Sequence, residues 1–279
     1  MSQNHFLKYL WNITRQCAGW VFAAVAVLVC FVTPDELLQP FGLNTVRVKL
    51  TCLAVLCLLS AAAAFCIARW KKNRPVTLYD REHSGIQIAF GNITDCMKDN
   101  TGGKHYTVVL SVNKDMDRML DPDKIKPGSV HGQWLRYLTT LPPDEYEHAA
   151  AQIRDKKPRV GDCLIIRNVR NVDYVLAVSC TVQDDKSLCS ETDYYKTVQS
   201  MIKTLNTYCQ LGETAYLPVI GAGNASLSRK TGQKLLRMLT EMLGFNTDLL
   251  TFRAKILVYD DPDGRMRRDI RLYALRPHD

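Results

Sequence analysis

Hydrophobic residues crowd the start of this chain and later settle into short blocks separated by polar turns. Between Arg15 and Asp35 runs QCAGWVFAAVAVLVCFVTP, and between Lys49 and Arg69 runs LTCLAVLCLLSAAAAFCIA, neither with a charged residue. At about 1.5 Å of rise per helical residue, each run reaches roughly the 30 Å of a bilayer's hydrocarbon core. A helix packed on a globular core would carry a polar stripe, and neither run has one. The connector from Pro34 to Thr45, with DELLQPFGLN at its heart, reads as the turn of a hairpin. The pattern therefore predicts a two-helix transmembrane hairpin over residues 1–74. A cleaved leader would also place Lys8 and Arg15 before an apolar stretch, but the second run anchors the chain independently.

From Pro75 onward the pattern changes to short apolar strands alternating with amphipathic helices, an α/β arrangement over residues 75–279. Strands are expected at Ile86–Phe90, Tyr106–Val112, Cys163–Arg167, Tyr174–Val182, Ala215–Ile220 and Lys255–Tyr259. Several are apolar throughout, as central strands covered on both faces must be. Helices are expected at Val130–Thr139, Tyr146–Arg154, Asp193–Cys209 and Ser228–Leu243. In the last of these, Leu235, Leu236, Leu239 and Leu243 recur at helical spacing and form a core-facing stripe.

Charge gives the hairpin an orientation. Lys8, Arg15, Arg69, Lys71, Lys72 and Arg74 flank its outer ends, whereas the connector carries Asp35 and Glu36 with Arg47 and Lys49 at its edge. Both termini and the soluble domain are thus expected on the cytoplasmic side. The formal charge of +8 does not point to nucleic acid, because the basic residues do not form one stripe interleaved with aromatics. Arg265, Arg267, Arg268 and Arg271 sit among Asp260, Asp261, Asp263 and Asp269 and read as a solvated charged hairpin. The 10 cysteines show neither CxxC spacing nor a nearby His pair, which argues against zinc and a disulfide framework and for buried thiols in a reducing compartment. Gly19, Ala23, Ala24 and the Ala61–Ala64 run offer small faces on which helices of several copies can associate.

The most informative stretch is AYLPVIGAGNASLSRKTGQKLL, in which an apolar strand passes through Gly221, Ala222, Gly223, Asn224 and Ala225 into a helix. Glycines let backbone N–H groups approach phosphate oxygens, and the helix that follows adds its positive end. A tight strand-to-helix turn needs glycine for geometry alone, so this loop by itself leaves both readings open. Three further stretches precede it in order: Gly91-Asn92-Ile93-Thr94 after the first predicted strand, VVLSVNK from Val108 to Lys114, and GSVHGQWL from Gly128 to Leu135.

In that order the four stretches, spread over Ile86–Tyr259, resemble the macro domains, which bind ADP-ribose and related nucleotides. The resemblance implies a three-layer α/β domain with a mixed central sheet and no cofactor beyond the bound ligand. It assigns the base contact to Asn92 and Ile93, and the distal ribose to Asn113. The diphosphate falls to Gly128, Ser129 and Val130 and to the loop Gly221, Ala222, Gly223, Asn224 and Ala225. Three departures stand out: Asn92 replaces an acid at the adenine contact, the glycine run is reduced to Gly128-Ser129, and the segment between Asn113 and Gly128 is long. The side-chain carbonyl of Asn92 is expected to bridge the adenine amino group without contributing a negative charge. Tyr259 has two readings, a stacking partner for ribose or adenine and a core aromatic at a strand end.

A membrane hairpin joined to such a domain resembles the membrane-anchored effectors of bacterial Thoeris anti-phage defence. That resemblance implies a homo-oligomeric effector in the bacterial inner membrane, acting on membrane lipid. Its ligand is an ADP-ribose-derived signal made by a TIR-domain partner protein. A membrane-bound ADP-ribosyl hydrolase is the alternative. His131, Asn113 and Asp115 are its candidate catalytic groups, but none comes with a partner at recognisable spacing, and His131 also fits a helix-entry or packing role.

Overall fold

The computed structural model describes residues 75–97, 103–114, 120–183, 186–222 and 232–259, together with residues 58, 62, 63 and 66. Packing divides the chain after Arg74, and the unit Pro75–Asp279 carries nearly all of these residues. The expected membrane hairpin lies almost wholly outside the described residues. Among those that are described, no helix is long and apolar enough to cross a membrane.

Eight strands appear among the described residues: β1 (Val76–Asp80), β2 (Gly85–Phe90), β3 (Tyr106–Asn113), β4 (Cys163–Val169), β5 (Val172–Gln183), β6 (Lys186–Leu188), β7 (Thr214–Pro218) and β8 (Arg253–Val258). Four helices accompany them: α1 (Val130–Thr139), α2 (Pro143–Ala151), α3 (Glu191–Tyr208) and α4 (Gly232–Phe245). The sheet runs in the order β1-β2-β8-β7-β3-β5-β4, with β6 paired to β5 off that path. β2, β8, β7, β3 and β5 are mutually parallel. The antiparallel pairs lie at the margins, β1 on β2, and β4 and β6 on β5.

Alternation along the strands divides the core into two layers. Ile86, Ile88, Val109, Val175, Ala177, Ala254 and Ile256 face α3 and α4, where they meet Tyr194, Val198, Met201, Leu205 and the Leu235, Leu236, Leu239 and Leu243 stripe. Val108, Leu110, Val112, Tyr174, Leu176 and Val178 face the other way, toward Trp134, Leu135 and Leu138 of α1, Ala149 of α2 and Ile153 just beyond it. Helices on both faces of a mixed sheet are the α/β architecture that the sequence pattern predicts.

Local chemistry sets the boundaries. α1 starts where Ser129 Oγ accepts from the Gly132 N–H at 3.0 Å, and its range matches the expected one. α2 begins earlier than expected, because Pro143 occupies a first-turn position where no N–H is needed. α3 likewise starts two residues before Asp193, capped by Ser190. The strand expected to reach Ile220 stops at Pro218, the last residue paired with β8. Gly221 then turns at φ 76°, closed by the Ala222 N–H to Val219 O bond of 3.2 Å. The first part of the helix expected from Ser228 lies outside the described residues, and α4 is described from Gly232.

Candidate functional site

Five parallel strands end on one edge of the sheet, so the loops after β2, β3, β7 and β8 converge there by topology alone. Gly91-Asn92-Ile93 follows β2, Asn113 is the last residue of β3, Gly221 and Ala222 close the turn after β7, and Tyr259 follows β8. The Gly91 N–H donates to Val258 O at 3.1 Å, which ties the first loop to the end of β8. β3 and β7 pair only from Tyr106↔Thr214 to Val108↔Tyr216, although β3 runs on to Asn113 and β7 to Pro218. The ladder thus opens toward the loop edge. Asn113 lies on one side of the opening and the Val219–Ala222 turn on the other. Open α/β sheets take ligands in such a crevice at the carboxyl ends of their strands.

The start of α1 belongs to the same region, because the helix packs against β3 and against the short 3-10 turn Ile93–Cys96. Ser129 is doubly engaged: its Oγ accepts from Gly132 N and donates to Lys126 O at 2.7 Å. Gly128 is exposed, with no atom within 4 Å of the position a β-carbon would take. Val130 is half-buried and packs on the α1 side of the core. Asn113 is 8% exposed and Ile93 5%. Gly223, Asn224 and Ala225 lie outside the described residues, as does Asp115.

Asn92 is engaged locally: its Oδ1 accepts from the Thr94 N–H at 3.1 Å and so caps the 3-10 turn. His131 is buried at 5% exposure, its ring centroid 5.9 Å from that of Trp134, in keeping with a packing role at the helix entry. Tyr259 is 51% exposed at the loop edge and is not a core residue.

The thiols of Cys96, Cys163, Cys189 and Cys209 are not activated. Burial raises Cys96 and Cys189 to about 11, and Cys163 and Cys209 to about 12. These thiols stay protonated at neutral pH and are poor nucleophiles. Among the described residues, no three His, Cys, Asp or Glu side chains converge to hold a metal ion.

Gly132 matters to the site but was not singled out from the sequence. A β-carbon there would lie 2.3 Å from Lys126 O, so only glycine lets the 126–129 turn close onto α1. The available signal was a glycine inside the first turn of a predicted helix, where it costs stability unless packing requires it.

A family model described as the Thoeris protein ThsA macro domain matches residues 86–258. The chain belongs to this family. The matched span holds every described site residue except Tyr259, and includes Gly223, Asn224 and Ala225. Among solved structures, an Oceanobacillus iheyensis macrodomain with ADP is similar at 11% identity and TM-score 0.46, covering 69% of this chain and 92% of that one. A Trypanosoma brucei macrodomain is similar at 14% identity and TM-score 0.43, covering 69% of each chain. A Bacteroides thetaiotaomicron protein of unknown function is similar at 9% identity and TM-score 0.38, covering 62% of this chain and 98% of that one. Likenesses this remote add nothing to the family assignment, which rests on the family model. No curated protein matches the chain.

Proposed function

We propose that this chain is a membrane-anchored effector of bacterial anti-phage defence whose macro domain binds an ADP-ribose-derived signal made by a TIR-domain partner. The observation that carries the reading is the crevice where β3 and β7 part, inside the span matched by the Thoeris ThsA macro-domain model. In this reading Asn92 and Ile93 meet the base, and Asn113 meets a ribose hydroxyl. The loops at Gly128–Val130 and Gly221–Ala225 surround the diphosphate.

The two charge-free runs, with basic residues at their outer ends, support a location in the bacterial inner membrane with both termini and the soluble domain cytoplasmic. Two helices cannot enclose a conducting path, so harm to the membrane requires an assembly of several copies. The ligand drives that assembly only by binding the assembled state more tightly than the dispersed one.

The test uses full-length protein in detergent, titrated with ADP-ribose and its conjugates by calorimetry, with particle mass followed in parallel. Saturable binding, growth in mass, dye release from proteoliposomes and recovery of the ligand unchanged are expected. Absence of binding overturns the site. Binding with unchanged mass and intact liposomes overturns the effector role, and turnover of an ADP-ribosylated substrate would replace it with a hydrolase.

A further inference from the structure

The amide of Asn92 bears on which base the site accepts, an inference that rests on the nucleotide-binding reading above. We propose that Asn92 lets the site take a purine carrying a carbonyl at its 6-position at least as readily as adenine.

Asn92 sits at the carboxyl end of β2, half-buried, with extended backbone at φ −101° and ψ 124°. Its Oδ1 is fixed by the 3.1 Å bond from the Thr94 N–H, since the other end of the amide cannot accept. The oxygen and nitrogen of an amide leave the same carbon about 120° apart, so turning Oδ1 inward turns Nδ2 away from Thr94. Among the described residues nothing accepts from Nδ2. The end of the side chain still without a partner is therefore an N–H2 donor.

A carboxylate at this position could cap Thr94 with one oxygen and turn its second oxygen outward, an acceptor suited to the amino group of adenine. The amide inverts that polarity. Its N–H2 facing an amino group sets donor against donor, whereas a carbonyl at the 6-position accepts from it. Rotating the amide to offer Oδ1 instead would aim Nδ2 at the Thr94 N–H and lose the cap. Adenine must then share an oxygen already engaged by Thr94, or be bound at the expense of the turn. A 6-oxo purine is bound with both interactions kept.

The experiment is calorimetric titration of the full-length protein in detergent with ADP-ribose and with its hypoxanthine counterpart, inosine diphosphate ribose, using wild type and Asn92→Asp. The wild type is expected to bind the hypoxanthine compound as tightly as ADP-ribose or more tightly. Asn92→Asp should move the ratio toward adenine by about tenfold, the scale of one hydrogen bond. A wild-type preference for ADP-ribose of about tenfold or more would overturn the proposal, and so would a ratio unmoved in Asn92→Asp. Binding of neither compound to the wild type would overturn the nucleotide site itself, and this proposal with it. Should Asn92→Asp fail to fold, Asn92→Ser keeps a capping oxygen while removing the amide. It should then move the ratio toward adenine, and an unchanged ratio would again overturn the proposal.

Discussion

The two ends of the central sheet are built on opposite principles. At the amino end of β3, β5 and β7, a histidine and two carboxyl side chains are packed against one another with little access to solvent. His105, just before β3, lies between Asp173 of β5, 3.3 Å from Nε2, and Glu213 just before β7. Its Nδ1 is 3.2 Å from Glu213 Oε1, an ion-pair distance without the alignment of a hydrogen bond. Glu213 is 8% exposed and also accepts from Thr107 Oγ1 and the Gln210 N–H, both at 2.7 Å. Asp173 accepts in turn from the Asn168 N–H at 2.8 Å. At the carboxyl end the β3–β7 ladder has opened, and glycine turns take the place of cross-strand contacts. One end clamps the strands together and the other parts them for a ligand. Mutations at the clamp should therefore change stability and leave affinity alone, and mutations at the crevice should do the reverse.

The largest effect is expected at the clamp. Glu213→Ala deprives Thr107 Oγ1 and the Gln210 N–H of their acceptor and takes the neighbouring carboxylate from His105. Each buried donor left without its acceptor costs about 1–3 kcal/mol, read as a lowered denaturant midpoint. Ligand affinity of the protein that stays folded should not change. A loss of affinity in the folded protein would show that the two ends are coupled.

At the crevice, Gly223→Glu puts bulk and negative charge where the diphosphate is expected. Binding of ADP-ribose compounds should fall by at least about a hundredfold, roughly 2.7 kcal/mol, with an unchanged unfolding midpoint. Normal binding in this variant would remove the Gly221–Ala225 loop from the site.

Gly132→Ala sharpens the comparison because it touches structure and site together. The new β-carbon meets Lys126 O, a backbone atom that cannot swing aside as a side chain would. Overpacking of this kind costs about 1–3 kcal/mol, and the displaced 126–129 turn should weaken ligand binding as well. A variant with wild-type stability would mean that the turn relaxes freely.

Legibility from sequence follows the same division. Central strands and helices were readable because their apolar residues recur with periods the backbone imposes, and Ser129 and Pro143 supply boundary signals. β1 was not readable. It is a five-residue edge strand with Thr77, Leu78 and Asp80 exposed and a register shift between Thr77 and Tyr79, so no alternation marks it. The loops of the crevice were legible as an ordered series of short stretches, since each must follow its own strand. The clamp was not legible, because His105, Asp173 and Glu213 share no local spacing and meet only once the parallel strands are in register. The inward-turned carbonyl of Asn92 was hidden as well, being set by a turn whose first N–H groups need a cap.

The smallest effect, and the finest test of the division, is expected at Asn113. This residue ends β3 just past a register shift against β5, where Val112 pairs with Val178 and Asn113 with Cys180, and the Lys114 N–H donates to Cys180 O at 3.0 Å. Backbone pairing, which a change of side chain leaves in place, thus holds the strand end at this point. In Asn113→Ala the proposed hydrogen bond to a ribose hydroxyl is lost while the phosphate loops stay intact. One such bond is worth about 1 kcal/mol, so affinity should drop roughly fivefold. Because Asn113 is nearly buried and hydrogen-bonding side chains inside a fold carry some stability, a small shift in the unfolding midpoint is expected too. Titrating the variant with ADP-ribose and with ADP separates the contributions: the deficit should appear with ADP-ribose and vanish with ADP, which lacks the distal ribose. An equal deficit with both ligands would place Asn113 among the residues that shape the crevice, and the distal ribose would then need another partner.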